Sequence, residues 1–416
     1  MREMKNSGVA WIGTIPQNWQ LSKIGNLYTQ RNEKVSDKDY QPLSVTMQGI
    51  LPQLATAAKT DDGDNRKLVR VGDFAINSRS DRRGSCGISP LDGSVSLINI
   101  ILTPRTAMHP GYYNWLFHTT LFADEFYKWG HGIVADLWTT RWQEMKSITV
   151  PVPEYAEQER IAAFLDAECA EIDAVLEKTR ASIEEYKKLK QAVITQAVTK
   201  GIRGDRPMKD SGIEWIGDIP AEWDVVRIKN LFDYRNERNF KPLEEVNLIS
   251  LYTDKGVVQH CDLDETTGNK ASNADGYKLV YENDIVVNII LCWMGAIGRS
   301  AYFGVTSPAY DVYSPKQKTN SKFYHYLFRT NGFSGDCYKV GRGIMAMRWR
   351  TYSDQFRAIK VVSPPQSEQE EIVEYLDEKC DGIDDLIAKK QQYLTEIENY
   401  KKSLIYEYVT GKKEVI

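Results

Sequence analysis

The chain has 416 residues, enough for two or three domains that each bury their own core. Hydrophobic residues make up 42%, charged residues make up 26%, and the formal net charge is −4, which is typical of a soluble globular protein. The sequence contains no long apolar run and no secretory leader, so we expect neither a membrane helix nor a membrane partner. Its six cysteines form no CxxC pair, which argues against a zinc ribbon or a disulfide scaffold and predicts a reduced, cytoplasmic protein.

The opening stretch KNSGVAWIGTIPQNW (5–19) recurs as KDSGIEWIGDIPAEW (209–223). An offset of 204 aligns residues 4–34 with 208–238, and from about residue 66 the offset becomes 211. Each copy is therefore roughly 200 residues long, far beyond the ~20–50 residues of solenoid repeats. Residues that are identical in both copies cannot give the two copies different binding specificities. The repeated tryptophans are therefore predicted to lie in the core or on a surface for a common partner: Trp11, Trp19, Trp215 and Trp223.

The middles of the two copies diverge. In the first copy the pattern predicts a strand–turn–strand at 68–77, one amphipathic helix at 111–129 and a strand at 145–152. The second copy repeats these elements as LVYENDIVVN, KFYHYLFRTNGF and FRAIKVVS. Shared ends with different middles suggest a common scaffold that carries two recognition surfaces, although an old duplication with neutral drift gives the same pattern.

Apolar residues recur every three to four positions over 157–200 and 368–410, without proline, which predicts two long helices. Folding back would pack these helices antiparallel, as in a coiled coil. The packing positions are predicted to be Ile172, Leu176, Ile183, Tyr186, Val193, Ile383, Ile387, Leu394, Ile397 and Leu404. The predicted domains are 1–155, a central helix 156–203, 204–366, and a C-terminal helix 367–416.

The negative charge is concentrated on these helices. Residues 157–199 hold nine acids and six bases, and residues 366–410 hold twelve acids and five bases, giving −3 and −7. The rest of the chain is therefore +6, which permits a nucleic-acid partner for the globular parts. Helices of this composition are expected to solvate one face and pack the other, and not to bind phosphates.

Motifs of catalysis are missing from the sequence. GHG (130–132) and GRG (341–343) lack the third glycine of a dinucleotide fingerprint and are predicted to be turns. Ser363-Pro364-Pro365-Gln366 lacks the Asn or Asp and the aromatic residue of an amino-methyltransferase loop. The five histidines show no metal-binding spacing, and Cys169 and Cys380 are predicted to pack. We therefore expect no metal and no enzymatic activity in this chain by itself.

Four features occur twice in the same order: the SG-x-x-WIG-x-IP-x-x-W opening, the strand pair around GDFAIN and NDIVVN, the proline-bearing entry to EQ-x-x-I, and the VTKG or VTGK helix end. With them the chain resembles, over essentially its whole length, the DNA-specificity subunits of type I restriction–modification enzymes. One departure is Val152-Pro153-Glu154 against Ser363-Pro364-Pro365. The resemblance implies an α+β fold: two tandem-duplicated α/β target-recognition domains, separated by two long helices packed as an antiparallel coiled coil with pseudo-twofold symmetry.

The resemblance also implies double-stranded DNA, two methyltransferase subunits that use S-adenosylmethionine, and motor-nuclease subunits that use ATP and Mg²⁺. This chain would hold no cofactor and would read a bipartite target. Residues 172–199 span about 42 Å as a helix, against ~34–36 Å for one DNA turn, so the helix pair would set the spacer between half-sites. A self-contained DNA-modifying enzyme and a protein-only coiled-coil scaffold remain as alternatives.

Base edges are read mainly by Arg, Lys, Asn and Gln side chains. The first-copy candidates are Thr46, Gln48, Arg79, Arg82, Arg83, His131 and Arg141. The second-copy candidates are Tyr252, Thr253, Lys255, Asn288, Trp293, Arg342, Arg348 and Arg350. Because the second copy carries Trp293 and Met294 in place of the Arg-rich loop, its readout is expected to differ in kind. More of the arginines are expected to contact phosphate than bases.

Overall fold

The computed structural model describes residues 2–53, 63–79, 82–132, 138–262, 273–344 and 349–415. The chain forms two compact units. The first unit combines Met1–Ala181 with Gln391–Ile416, and the second is the continuous stretch Ser182–Lys390. The first unit is therefore assembled from two stretches of chain that are far apart in sequence.

The first unit contains short strands and mostly short helices. Its strands are β1 (Met4–Asn6), β2 (Thr14–Pro16), β3 (Gln20–Lys23), β4 (Tyr28–Arg31), β5 (Lys34–Val35), β6 (Leu43–Thr46), β7 (Gly49–Pro52), β8 (Arg66–Val69), β9 (Phe74–Asn77), β10 (Cys86–Ile88), β11 (Gly93–Val95), β12 (Asn99–Pro104) and β13 (Thr149–Val152). Its helices are α1 (Ile24–Leu27), α2 (Pro110–Phe117), α3 (Thr120–Lys128), α4 (Trp142–Met145) and the first part of α5 (Tyr155–Lys200).

The strands of the first unit pair antiparallel in several small sheets. The largest has the order β10-β9-β12-β4, a second has the order β11-β8-β5, and β1–β2, β6–β7 and β13–β3 form pairs. These sheets and α2 and α3 enclose an aromatic core that includes Trp19, Phe74 and Phe117. Leu404 and Val409, from the end of the second long helix, belong to the same core. The expected mixture of helix and strand is confirmed.

The second unit repeats these elements. Its strands are β14 (Met208–Asp210), β15 (Asp218–Pro220), β16 (Asp224–Arg227), β17 (Phe232–Arg235), β18 (Ile249–Tyr252), β19 (Gly256–Gln259), β20 (Lys278–Val280), β21 (Ile285–Asn288), β22 (Ile297–Arg299), β23 (Gly304–Thr306), β24 (Tyr310–Pro315) and β25 (Lys360–Ser363). Its helices are α6 (Ile228–Leu231), α7 (Ser321–Phe328), α8 (Asn331–Val340), α9 (Ser353–Ala358), the end of α5 and the first part of α10 (Gln366–Val409).

The two units also share strand order and register. The sheet β17-β24-β21-β22 matches β4-β12-β9-β10. Val286 pairs with Val312 as Ala75 pairs with Ile101, with a shift of 211 residues in both partners. The duplication seen in the sequence is therefore a duplication of one fold.

The amphipathic helix predicted over 111–129 is two helices, α2 and α3. They are separated at Thr119, whose backbone is extended and whose Oγ1 accepts the amide of Phe122 at 3.2 Å, capping α3. Thr330 caps α8 in the same way, accepting the amide of Phe333 at 3.3 Å. The apolar period did not reveal the break because buried pairs spaced four residues apart occur on both sides of it, at 112–113 and 116–117 and again at 122–123 and 126–127.

The long helices pack antiparallel within each unit. In the first unit, Lys401 donates to Asp173 at 2.6 Å and Arg180 donates to Glu398 at 2.6 Å, so residue numbers fall along one helix as they rise along the other. In the second unit, Lys190 of α5 donates to Asp384 of α10 at 2.5 Å, and Arg203, just after α5, donates to Glu371 of α10 at 2.6 Å, so the residue numbers again run in opposite directions. The antiparallel arrangement that was predicted is confirmed in each unit.

The ten predicted packing positions divide into two groups. Half of them are buried: Leu176, Ile183, Ile383, Leu394 and Leu404. The rest are half-buried: Ile172, Tyr186, Val193, Ile387 and Ile397. The apolar face formed by these ten positions is therefore partly open to solvent.

The opening segment of the first copy is fixed to both long helices. Trp19 Nε1 donates to Glu157 of α5 at 2.8 Å, and Arg2 donates to the other carboxylate oxygen at 2.5 Å. The Arg2 guanidinium also donates to the carbonyl of Gly411, just after α10. This segment therefore joins the start of one long helix to the end of the other within the first unit.

The second unit repeats the cluster. Trp223 Nε1 donates to Glu368 at 2.9 Å, and Arg206 Nη2 lies 2.6 Å from the other Glu368 oxygen and donates to the Lys200 carbonyl. Of the two predicted locations for the repeated tryptophans, the core is the one found for Trp11, Trp19 and Trp223, whereas Trp215 is half-buried.

Gly201 ends α5 with a left-handed φ of +74°, and a Cβ there would strike the Arg206 guanidinium and lie 2.9 Å from Glu368 Oε1. We expect Gly201→Ala to lower the free energy of unfolding of the second unit by about 1–3 kcal/mol, from backbone strain and displacement of Arg206. Gly204→Ala is the matched control, since a Cβ there meets nothing within 4 Å. Denaturant unfolding followed by tryptophan fluorescence measures the stability of both variants. Equal stability would contradict the predicted backbone strain at Gly201.

Candidate nucleic-acid interface

In the first unit three loop segments meet on one surface, here called the first loop face: the β6–β7 turn (46–49), the loop after β9 (78–79 and 82–85) and the described parts of 129–141. The Thr140 amide donates to the Ser78 carbonyl at 3.0 Å, which joins the second and third segments. A Cβ on Gly87 would lie 2.9 Å from the Gly49 Cα, so the β6–β7 turn packs directly on β10.

The second unit builds the second loop face in the same way, from 252–256, 289–296 and the described parts of 340–351. The Thr351 amide donates to the Ile289 carbonyl at 2.9 Å, the counterpart of the Thr140–Ser78 bond. The Arg329 guanidinium donates to the carbonyls of Thr253 (3.0 Å) and Asp254 (2.8 Å), which fixes the β18–β19 turn. The corresponding residue in the first unit is His118, whose Nδ1 lies 2.7 Å from the Asn114 carbonyl, so the guanidinium anchor is not repeated.

The GHG and GRG segments serve this packing. Trp138 Nε1 donates to the Tyr127 carbonyl at 2.8 Å, and Trp349 Nε1 donates to the Tyr338 carbonyl at 3.1 Å. Each indole lies against the first glycine of the segment, and a Cβ at Gly130 would collide with the Trp138 ring. A close indole contact therefore explains the glycine. The predicted turn is not found, because His131 and Arg342 form isolated antiparallel bridges with Thr139 and Arg350. The role of these two tryptophans was not foreseen from the sequence.

The first-copy candidates all lie on the first loop face. Thr46 is half-buried. The other six are exposed: Gln48, Arg79, Arg82, Arg83, His131 and Arg141. The Thr46 hydroxyl donates to the Gly49 carbonyl at 2.9 Å and accepts the Gln48 amide at 3.1 Å, so it shapes the turn. Arg83 is ion-paired with Asp124 of α3.

The second-copy candidates are less uniform. Thr253, Lys255 and Arg342 are exposed, whereas Tyr252, Trp293 and Arg350 are half-buried. Arg348 lies outside the described residues.

Asn288 lies beneath the second loop face. It is buried, and its Oδ1 accepts the amide of Ile290 at 3.0 Å. The candidate Asn288 therefore holds the loop from below and does not present its amide to solvent. Met294, which exposes its side chain on this face, was not among the candidates.

A cavity of about 610 Å³ opens between α5 and the second loop face. Lys187 and Lys190 line it from α5, and Lys255 and Arg329 line it from the opposite side, together with two carboxylates. The mean charge of the helix concealed this basic end. Residues 157–181 hold seven acids and three bases, whereas 182–199 hold two acids and three bases. Cationic side chains therefore line this cavity on both sides.

His325 of α7 lines the same cavity. Its Nδ1 accepts the Arg299 amide at 3.1 Å. Burial, reinforced by Arg329 and other nearby cations, lowers the pKa of His325 to about 3. In the first unit the same place is taken by Asn114, whose Oδ1 accepts the Ile88 amide at 3.1 Å.

This difference predicts a pH dependence. The unfolded chain binds a proton at His325 near pH 6.5 and the folded chain only near pH 3. The free energy of unfolding therefore does not depend on this group above pH 6.5. It decreases as the pH falls below that value. Between pH 7.5 and 5 the second unit should lose about 2 kcal/mol of unfolding free energy. Denaturant titrations across this range measure the loss.

His325→Asn is the matched variant, because it copies Asn114 and keeps a hydrogen-bond acceptor without a titrating ring. The variant should lose this pH dependence while remaining close to the original stability at pH 7.5. The same pH slope in both proteins would show that His325 is not the group responsible.

Five of the six cysteines are buried and form no disulfide: Cys86, Cys169, Cys292, Cys337 and Cys380. Burial raises the pKa of Cys169 to about 11 and raises that of its counterpart Cys380 as well. Both thiols are therefore protonated at neutral pH and pack as small apolar groups, as predicted. Within the described ranges, no group of three or more His, Cys, Asp or Glu residues is placed to bind a metal ion.

Residues 220–398 match the family model of the type I restriction modification DNA specificity domain. The resemblance to specificity subunits is confirmed. The MjaVIII specificity subunit of a type I restriction enzyme from Methanocaldococcus jannaschii is 25% identical over 287 residues, and the MjaX specificity subunit of that organism is 27% identical over 287 residues. These alignments cover 65% of this chain but only 63% and 61% of the two relatives, respectively.

Two solved structures have the same fold as this chain. A chain from a study of complex assembly and conformational transition of the type I R-M system has a TM-score of 0.71 at 13% identity, covering 96% of this chain and 99% of that one. The HsdS subunit from Thermoanaerobacter tengcongensis has a TM-score of 0.52 at 15% identity, covering 96% and 98%. In the part of the chain that the structure describes, no helix is both long and apolar enough to cross a membrane.

Proposed function

We propose that this chain is the sequence-specific DNA-binding subunit of a type I restriction–modification complex and reads one half of a bipartite target with each loop face. One observation carries the proposal. Two units of the same topology and register present the same three segments, yet with different side chains on each. A shared frame with different polar groups is what two distinct base sequences require.

The chemistry would come from partners. Two methyltransferase subunits would bring S-adenosylmethionine, motor-nuclease subunits would bring ATP and Mg²⁺, and this chain would be the non-catalytic scaffold in the cytoplasm. A groove of about 260 Å³ between the long helices of the first unit supports a protein partner. Its lining includes Tyr393 and Tyr400, both about half exposed, beside Val175 and Ile397.

The spacer between half-sites is proposed to follow from the length of α5 and α10. Inserting seven residues into both helices, after Ala181 and after Lys390, keeps the apolar stripe in phase and lengthens each helix by about 10 Å. The selected target should gain about three base pairs of spacer, at ~3.4 Å per base pair. Insertion into one helix alone is the control and should abolish binding, because the helices then lose register. An unchanged spacer would contradict the proposal.

Selection from random duplex DNA by the full chain, alone and with its methyltransferase, tests the main proposal. Enrichment of two fixed half-sites separated by a constant gap is expected. Recovery of the methyltransferase without any enriched sequence would favour a protein-only scaffold. Methyl transfer or cleavage by the purified chain alone would favour a self-contained DNA-modifying enzyme.

A further inference from the structure

The two loop faces differ most sharply at one equivalent position. Arg83 and Met294 are 211 residues apart, and each precedes a glycine with left-handed φ, Gly84 (+77°) and Gly295 (+88°). The Arg83 side chain is 54% exposed, and Met294 is 53% exposed. The same backbone therefore presents a guanidinium in one unit and a thioether in the other.

The neighbouring helix changes together with this position. Asp124 of α3 forms an ion pair with Arg83, and Arg83 also lies over the Tyr127 ring at 5.9 Å. The residue equivalent to Asp124 is Gly335, and a Cβ there would meet nothing within 4 Å. The carboxylate is present where the guanidinium is present and is replaced by glycine where the thioether stands. An isolated exposed methionine would need no such paired change.

The surroundings of Met294 indicate what it faces. It lines the basic cavity together with Lys255 of the β18–β19 turn and Lys187 of α5. An apolar tip in a cationic groove suits the major groove of DNA, in which phosphates flank base edges and the thymine C5-methyl group is the apolar feature. A guanidinium held by a carboxylate suits the paired O6 and N7 acceptors of guanine.

We infer that this position sets the base class of each half-site: Arg83, oriented by Asp124, reads guanine in the first, and Met294 contacts a thymine methyl group in the second. The inference rests on the proposed function, since it assumes that the loop faces bind DNA. Asp124 is a positioning residue, and Arg83 and Met294 are specificity-determining residues.

Base analogues placed in the selected duplex test the inference. Uracil in place of thymine removes only the methyl group. At one position of the second half-site it should weaken binding of the full chain about fourfold, equivalent to ~0.8 kcal/mol. The same replacement throughout the first half-site should have no such effect. In the first half-site, 7-deazaguanine removes the N7 acceptor and should weaken binding about tenfold. Inosine, which keeps O6 and N7, is its control.

Variants assign these effects to side chains. Met294→Ala should bind thymine and uracil duplexes equally, and Arg83→Ala should bind guanine and 7-deazaguanine duplexes equally. The double variant M294R/G335D transfers the first unit's pair into the second. It should select guanine at the position where the original chain selects thymine. Because these side chains are exposed, the melting temperature should stay close to that of the original chain, and it serves as the folding check.

The outcomes separate the two proposals. If no duplex sequence is enriched, the proposed function fails. If half-sites are enriched but the uracil and 7-deazaguanine duplexes bind like the natural ones, DNA recognition stands and the inference is overturned. Sensitivity to uracil that persists in Met294→Ala would also overturn it, because another group would then contact the methyl.

Discussion

Replacing Glu368 by alanine is expected to lower the free energy of unfolding of the second unit by about 3–5 kcal/mol. The Glu368 side chain is 2% exposed, and it accepts from Trp223 Nε1 while pairing with Arg206, itself 11% exposed. Its removal leaves the buried Trp223 indole N–H without its acceptor, and it leaves the nearly buried Arg206 with only the Lys200 carbonyl and the exposed Glu222 as partners. Denaturant unfolding with native-state hydrogen exchange would measure the loss and locate it in the second unit.

Two further carboxylates serve as controls for this prediction. Glu157 makes the same contacts in the first unit but is 12% exposed, so Glu157→Ala should cost less, about 1–3 kcal/mol. Glu371 pairs with Arg203 at the surface, and Glu371→Ala should cost under ~1 kcal/mol. A loss for Glu368→Ala no larger than that for Glu371→Ala would show that burial of the cluster does not determine its contribution.

Exchanging one recognition module for the other is expected to have the largest effect on binding. A chain in which residues 232–363 replace residues 28–152 would carry the second loop face twice. Affinity for the original target should fall by about 10³-fold or more, to the non-specific level. A duplex with two copies of the second half-site should become the preferred target, as measured by selection and competition gel shifts.

The structure supports this exchange because both junctions are equivalent. β13 pairs with β3 as β25 pairs with β16, and Gln20 opposite Val152 corresponds to Asp224 opposite Ser363. The reciprocal chain, with residues 28–152 in the second unit, is the control and should prefer two copies of the first half-site. If the original target were retained, the bases would be read by the shared segments and not by the exchanged modules.

Much of this arrangement was predictable from the repeat. Because the copies align without gaps at their ends, the strand pairs and the helix entries could be located, and the loops between them identified as the variable surface. The alignment also identified 78–85 and 129–141 as parts of this variable surface. The structure joins them through the Thr140–Ser78 hydrogen bond.

The parts that escaped prediction depend on contacts across the fold. Asn288 resembles a base-reading amide in sequence, but its burial beneath the loop follows from the packing of β21 against its neighbours. The indoles of Trp138 and Trp349 each reach a carbonyl 11 residues earlier in the chain, a contact that no helix or strand period predicts. The sequence showed that Met294 and Trp293 replace the Arg-rich loop, but the exposure of the Met294 side chain became visible only in the structure.

The boundaries of the compact units carry a consequence for synthesis on the ribosome. The second unit is one continuous segment, 182–390, and can fold as soon as that segment has emerged. The first unit needs residues 391–416, which are made after the second unit is complete. Because Leu404 and Val409 belong to its core, we expect the first unit to complete that core only after they have been made. The half of the protein that is translated first is thus the half that finishes folding last.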